Sequence, residues 1–337
     1  MQSMNADEAA QNALKYVLDA KSGESIVIFC DDEKMDVGKA FLSGSANLGL
    51  KTRLTTLKTE PRVFRKEIPK NVFDILRQKA AVYVNLMRGI REEAPFRIEL
   101  IKLETEGHRA RLGHAPGITL EMLTEGALAL TEDEHRQMQD FARELMKRLS
   151  RTVRIEIKNA AGTNFSLSVE GRSFFTDAAI DRKTMNWLNI PTGEITIAPV
   201  EDSAQGQLVC DLAAGGIGLL KTPVCLIVQN GKVQDSISKD AQVLNRVRNS
   251  LTTDDHSSTI GEFAIGINPK ARLSEEFLEL EKIFGTIHVA FGNNSDFPGG
   301  LNPSRNHLDL LVAKPSVKAF NKDGSSIGIL SEGVFQP

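Results

Sequence analysis

The strongest constraint on the fold is a change in hydrophobic periodicity at about residue 151. Before it, short β-branched runs such as SIVIFC (25–30) and AAVYVNL (80–86) alternate with segments whose apolar residues recur at helical spacing. After it, segments such as TVRIEIKN (152–159) alternate apolar and polar residues, with Gly, Asn and Asp turns between them. The first pattern predicts βαβ units and a parallel sheet, and the second predicts antiparallel β-structure.

This change predicts two domains, as the length of 337 residues also favours. The first, over 1–150, is an α/β domain with a mainly parallel sheet. The second, over 151–337, is a β-rich α+β domain. Helical spacing in LSEEFLELEKIF predicts one helix in the second domain at 273–284.

Composition excludes several classes of protein. Lys and Arg number 41 against 44 Asp and Glu, so the basic excess typical of nucleic-acid binding is missing. The apolar stretches fall short of the roughly 20 residues that a membrane span needs, and the acidic N-terminus is unlike a signal peptide. The cysteines lie in apolar runs without C-x-x-C spacing, which favours a reducing compartment. We therefore expect a cytoplasmic protein without a nucleic-acid or membrane partner.

A short polar pattern lies in NHLDLLVAK (306–314). In a strand, His307 and Asp309 project from the same face, because residues i and i+2 share a side. An imidazole and a carboxylate in this relation can serve one metal, serve two adjacent metals, or form a hydrogen bond in a core. The pattern alone leaves these alternatives open.

Three other strand-like segments each place one ionisable residue among small residues, with branched or aromatic residues on the opposite face. They are PTGEITIAP with Glu194, TIGEFAIG with Glu262 and GTIHVAFG with His288. Isolated buried carboxylates are costly, so their recurrence favours a shared role. Five nitrogen and oxygen ligands without a thiolate suit Zn, Co, Mn or Fe(II). We therefore predict that the second domain carries a metal site.

Four ordered segments resemble the metal-binding segments of the aminopeptidase T/aminopeptidase S family of metallopeptidases. They are PTGEITIAPVEDSAQGQLVCD, IGEFAIGINPKA, GTIHVAFG and NHLDLLV. Weaker similarity extends back to GHAPGITLEMLTEGAL at 113–128. The resemblance implies an α/β N-terminal and a β-rich C-terminal domain. It also implies a cytoplasmic homodimer, a peptide or small-amide substrate and two divalent ions chosen among Zn, Co and Mn.

Five residues of this chain match the metal ligands of that family. Glu194 matches the glutamate of the P-x-G-E segment, and Glu262 matches a glutamate that can bridge two metals. The remaining matches are His288 in H-x-A-x-G and the closing pair His307 and Asp309. Either glutamate could instead act as a general base, so both are also candidate catalytic residues.

One departure concerns a tyrosine that the family has seven residues after the first of these histidines. This chain has Ser295 there, in the loop GNNSDFPGG. We predict that Asn293, Asp296 and Arg305 contact substrate near this loop, although such residues also cap turns. The missing tyrosine leaves a further hypothesis open, in which the chain binds a ligand without turning it over.

A second family with the same fold looks similar, the 2,5-dihydroxypyridine 5,6-dioxygenases. These enzymes use one Fe(II), with a histidine where this chain has Glu262, and they lack a match to His288. The alternative function is therefore a ring-cleaving dioxygenase with one Fe(II). Retention of all five peptidase-type residues favours a metal-dependent, dinuclear hydrolase.

Overall fold

The computed structural model describes residues 3–108 and 110–337, without the side chain of His108. The helices are α1 (Ala6–Asn12), α2 (Met35–Asn47), α3 (Lys70–Leu76), α4 (Ala94–Thr105), α5 (Leu120–Thr124), α6 (Glu132–Leu149), α7 (Ala241–Leu251) and α8 (Phe277–Leu280). The strands are β1 (Ser25–Asp31), β2 (Lys51–Leu57), β3 (Val82–Met87), β4 (Arg111–Pro116), β5 (Thr152–Lys158), β6 (Asn164–Ser168), β7 (Phe175–Thr176), β8 (Trp187–Asn189), β9 (Glu194–Ile197), β10 (Gln205–Cys210), β11 (Ala213–Ala214), β12 (Gly218–Leu219), β13 (Val224–Gln229), β14 (Lys232–Ile237), β15 (Ile260–Gly266), β16 (Ile287–Gly292), β17 (His307–Val312), β18 (Ser316–Asn321), β19 (Ser326–Ser331) and β20 (Val334–Phe335).

The chain divides into two compact units that interleave in sequence. The first comprises Met1–Asp140, Asp177–Gly193 and Asn268–Arg272, and the second comprises Phe141–Thr176, Glu194–Ile267 and Leu273–Pro337. A division of the chain at residue 150 into two continuous domains stays a prediction. In the observed compact units, the first passage from one to the other falls inside α6.

The first unit contains a parallel sheet in the order β2-β1-β3-β4-β8. Side chains of β1 alternate between two apolar clusters, with Ile26 and Ile28 in one and Val27 and Phe29 in the other. Both faces are therefore covered, as a parallel sheet requires. The predicted α/β character with a parallel sheet is confirmed.

A buried ionic network lies where β1 and β3 end. Arg65 pairs with Asp31 and Glu93, and the Arg88 side chain also pairs with Glu93. The backbone N–H of Arg88 donates to Asp31 Oδ2 at 2.9 Å. Burial alone would raise the pKa of Glu93, but Arg88 and Arg65 lower it to about 2. This network joins the carboxyl ends of two neighbouring strands.

Replacing Glu93 with alanine is expected to destabilise the protein by about 3 kcal/mol, because it leaves the buried Arg88 and the partly buried Arg65 without this partner. Urea unfolding measures the loss, and the exposed neighbour Glu92→Ala is the control, expected within about 0.5 kcal/mol of wild type. The wild-type contribution is present above pH 4.5 and is lost as the pH falls towards 2, because the folded-state pKa is the lower one. A Glu93→Ala loss no larger than the control's would contradict this account.

The second unit contains two sheets. One has the order β14-β13-β10-β6-β5-β18-β19-β20, and the other has the order β12-β11-β17-β16-β15-β9-β7. The pairings within them are antiparallel. The predicted antiparallel, β-rich character of this half is confirmed.

Two local predictions differ from the structure. The helix expected over 273–284 is reduced to the single turn of α8, and Glu281 and Lys282 beyond it are buried. Strand β8 follows residue 150 in sequence, yet it extends the parallel sheet beside β4. Local periodicity does not report such long-range pairing, so the sequence placed this segment in the β-rich half.

Candidate metal centre

Four neighbouring strands of the second unit carry the five residues singled out as metal ligands. These strands are β9, β15, β16 and β17, which lie side by side in that order. Each contributes one or two polar side chains among apolar ones. The alternation predicted for each segment therefore brings the polar residues to one sheet.

The register places these polar side chains on one face. Glu262 is paired with Ala290, and Ala290 is paired with Asp309. Because paired residues and residues two apart share a face, His288 and His307 lie on this face as well. Glu194 is paired with Gly266 at the next strand. Alanine and glycine between the polar residues leave space above the sheet.

Glu262 lies at the middle of the cluster and faces both histidines. Its Oε1 is 3.4 Å from Nε2 of His288, and its Oε2 is 2.9 Å from Nε2 of His307. Only 4% of Glu262 and 1% of His288 is exposed. Each oxygen of this one carboxylate therefore belongs to a different imidazole.

The outer carboxylates complete two groups around Glu262. Glu194 Oε2 is 3.5 Å from His288 Nε2, and Asp309 Oδ1 is 3.1 Å from His307 Nε2. In each of the groups Glu194–Glu262–His288 and Glu262–His307–Asp309, the candidate ligand atoms lie within 4.8 Å of one another. The structure thus brings all five predicted residues together, in two groups that share Glu262.

The orientation of the His307 ring fits a metal ligand. Its Nδ1–H donates to the backbone carbonyl of Asn293 at 2.8 Å, and a carbonyl can only accept. Nε2 of the neutral ring then carries the lone pair, and it faces the carboxylates of Glu262 and Asp309. A backbone carbonyl holding the far nitrogen is the usual support of a metal-binding histidine. The donor set and this orientation fit a divalent ion.

The carboxylates perturb the histidines strongly in the absence of metal. Burial alone would lower the pKa of His288, but Glu262, followed by Glu194 and Asp309, raises it to about 9. Asp309 and Glu262 likewise raise the pKa of His307 well above its usual range, against the effect of burial. Burial raises the pKa of Glu262, yet the two imidazoles hold it well below its usual range. Without metal, the carboxylates therefore favour the protonated form of both rings.

Metal affinity is expected to rise with pH, because a divalent ion must displace the protons of His288 and His307. Between pH 6 and 8 the apparent affinity should increase up to about tenfold per pH unit for each proton released. Calorimetry of cobalt binding in buffers of different ionisation enthalpy counts these protons. An affinity that stays constant over this range, with no proton release, would show that the imidazoles do not bind the ion.

Two charged residues beside the cluster escaped sequence analysis. Lys282, only 1% exposed, places Nζ 2.6 Å from Glu194 Oε1 and 2.9 Å from Glu281 Oε1. Glu281 also forms a group with His288 and Asp309. Burial raises the pKa of its carboxyl, and the Lys282 charge opposes this. Both residues fall in the segment predicted as a helix, and its helical spacing gave no sign of a buried charge.

The predicted substrate-binding residues lie in different surroundings. Asn293 joins the cluster through its carbonyl, and its side-chain amide donates to Asp296 Oδ2 at 3.0 Å. Ser295, at the position of the family's tyrosine, donates to Asn293 Oδ1 at 2.7 Å. Arg305 is exposed and contacts Asp254 and the carbonyl of Thr253. Contact of Asn293, Asp296 and Arg305 with substrate stays a prediction.

Glu201 anchors the loop that supplies the Asn293 carbonyl. Its Oε1 accepts from Asn294 Nδ2 at 3.1 Å and from the backbone N–H of Leu301 at 2.8 Å, and its Oε2 pairs with Arg172. Phe297 on this loop packs edge-on against the His307 ring, with centroids 6.1 Å apart. Glu201 therefore has a structural role in holding this loop. Its position in a turn gave no indication of that role in the sequence.

Comparison with known proteins decides the family. The sequence model described as "Thermophilic metalloprotease (M29)" matches residues 127–335, more than half of the chain. This chain belongs to the M29 metalloprotease family. The resemblance predicted from the four ordered segments is thereby confirmed. As an M29 member the chain is a metallohydrolase and a metal-dependent peptidase, a class that uses divalent ions and acts on peptides.

Two solved structures share the fold of this M29 chain. Wild-type AmpT from Thermus thermophilus has a TM-score of 0.73 at 17% identity, covering 98% of this chain and 99% of that one. The 2,5-dihydroxypyridine dioxygenase from Pseudomonas putida KT2440 has a TM-score of 0.71 at 16% identity, covering 98% and 96%. At these identities the similarity shows the fold alone. A search of curated proteins found no match.

In the part of the chain that the structure describes, no helix combines the length and the apolar character needed to cross a bilayer.

Proposed function

We propose that this protein is an aminopeptidase T-like enzyme with two divalent ions bound at Glu194, Glu262, His288, His307 and Asp309. The observation that carries the proposal is the position of Glu262, whose two oxygens face different histidines. A carboxylate in this arrangement suits a bridge between two ions. The M29 match supports the peptidase class.

Each proposed metal position would be held by one imidazole, by one carboxylate of its own and by Glu262, which both positions share. His288 and Glu194 would hold one ion, and His307 and Asp309 would hold the other. When bound, the ions would polarise the scissile carbonyl and lower the pKa of a water molecule. The Asn293 carbonyl keeps the His307 ring in the required orientation. A general-base role of Glu194 or Glu262 stays a prediction.

The loop around Asn293 is the proposed place of substrate contact. Asp296 is exposed and close to Asn293, which itself touches His307. A carboxylate near a metal pair is suited to the α-ammonium group of a peptide, which an aminopeptidase must recognise. Arg305, held by Asp254, is the weaker candidate of the predicted set.

Metal removal tests the proposed activity. Treatment with 1,10-phenanthroline should abolish release of the N-terminal residue from a panel of unblocked peptides, and Zn, Co or Mn should restore it. The non-chelating isomer 1,7-phenanthroline is the matched control and should leave the rate unchanged. Mass spectrometry of the products separates release of one residue from internal cleavage. Activity that survives full metal removal would contradict the proposal.

The dioxygenase reading makes different predictions from the same site. It requires one iron per chain and oxygen consumption with a dihydroxylated aromatic ring. Glu262 beside His288 favours the hydrolase over this alternative.

Function as a homodimer in the cytoplasm stays a prediction from the family resemblance. Light scattering tests whether the protein is a dimer.

A further inference from the structure

A buried cation lies on one side of the candidate metal centre. Lys282 Nζ is 2.6 Å from Glu194 Oε1 and 2.9 Å from Glu281 Oε1, and the lysine is only 1% exposed. Glu194 uses its other oxygen, Oε2, towards His288. Lys282 therefore pairs with Oε1 of Glu194, and Oε2 is the oxygen that faces the proposed ion position.

The two proposed metal positions differ in this respect. Glu194 contacts the ammonium group directly, and it belongs to the position with His288. His307 instead contacts Glu262, Asp309 and the Asn293 carbonyl, and Asp309 also lies in a group with Glu281 and His288. A positive charge in a buried site repels a divalent ion strongly, because the low polarity of the surroundings screens little. The position with Glu194 is thus the one that the lysine weakens.

We propose that Lys282 is a positioning residue that makes the two metal positions unequal, by holding Glu194 to a single oxygen and placing a fixed charge beside it. This inference rests on the proposed dinuclear site. The ion at Glu262, His307 and Asp309 binds tightly, and the ion at Glu194, Glu262 and His288 binds weakly and exchanges. The weak position is then the one emptied first when the supply of metal falls.

Calorimetric titration of the metal-free protein with cobalt tests this inference without relying on activity. Wild type should show two binding steps whose affinities differ at least about tenfold. Glu194→Gln should remove the weak step and spare the tight one. Equal affinities in the wild type would overturn the inference.

Three substitutions at Lys282 separate its charge from its contact with Glu194. Lys282→Met and Lys282→Gln remove the charge, and only glutamine can still donate to Glu194. Both should tighten the weak step by at least about tenfold, whereas Lys282→Arg should leave it weak. An unchanged or weaker second step in both neutral variants would overturn the inference. The inference would also be overturned if the second ion bound more weakly to Lys282→Met but with wild-type affinity to Lys282→Gln. That pattern would mean that Lys282 only orients Glu194 and that its charge has no effect.

Other outcomes distinguish this inference from the proposed function. Circular dichroism verifies that each variant is folded. If Lys282→Met does not fold, the cobalt titration of Lys282→Gln alone tests the effect of removing the charge. If wild type binds fewer than two ions at saturation, the dinuclear proposal fails, and the inference fails with it. If wild type binds two ions unequally and the neutral variants change nothing, only the role of Lys282 is overturned.

Discussion

Replacing Glu262 with glutamine is expected to abolish binding of both metal ions and to reduce peptidase activity by at least about 10³-fold. Each oxygen of Glu262 faces a different histidine, so this one carboxylate serves both proposed positions. A catalytic metal ion stabilises the transition state of peptide hydrolysis by several kcal/mol. A loss of about 4 kcal/mol corresponds to the expected 10³-fold decrease in rate. Elemental analysis and peptide turnover on the same preparation measure the two losses.

Two controls make the Glu262→Gln result specific. Glu275→Gln changes an exposed glutamate of the second unit and should leave both readouts unchanged. Glu194→Gln should lose one ion rather than two, because Glu194 belongs to one group only among the clusters of the described residues. If Glu262→Gln retained two ions per chain, the shared-ligand assignment would be wrong.

Replacing His307 with alanine is expected to remove the tightly bound ion and to lower activity by at least about 10²-fold. The ring faces Glu262 at 2.9 Å and Asp309 at 3.1 Å through Nε2, so its loss leaves two carboxylates without the imidazole. A ligand lost from a metal position costs more than a supporting contact, for which 10- to 100-fold in affinity or activity is typical. Cobalt titration should then show the weak step alone.

His256→Ala is the matched control for His307→Ala. His256 is exposed in the same unit, and its Nδ1 contacts Asn302 Oδ1 at 3.1 Å rather than a carboxylate of the cluster. It should bind two ions with wild-type affinity. A His307→Ala protein that keeps the tight step would remove His307 from the ligand set.

The polar face of the candidate metal centre was predictable from sequence because strand alternation is a local property. Glu194, Glu262 and His288 each stand in a period-2 segment, and such a segment fixes which residues share a face. Which strands pair, and in what register, depends on contacts far apart in sequence. The family resemblance implied that Glu262 can bridge two metals, but the distances that divide the five residues into two groups were visible only in the structure.

Residues that support the site gave weaker signals. Lys282 stands in a segment with helical spacing, where a charge predicts exposure, yet the helix ends at Leu280 and the lysine is buried. The contact of Asn293 with His307 uses a backbone carbonyl, which any residue type supplies. Strand β8 joins the parallel sheet after the chain has passed through the second unit. These features follow from tertiary packing rather than from local pattern.

The most direct test of the central claim is the number of divalent ions that one chain binds at saturation. Metal-free protein is equilibrated anaerobically with cobalt or with zinc, at a free-ion concentration that keeps the weak position filled. Elemental analysis then counts the metal bound per chain, after subtraction of the free ions in the buffer. We expect two ions per chain. Saturation at one ion per chain, or no binding of either metal, would contradict a dinuclear peptidase centre built on Glu262.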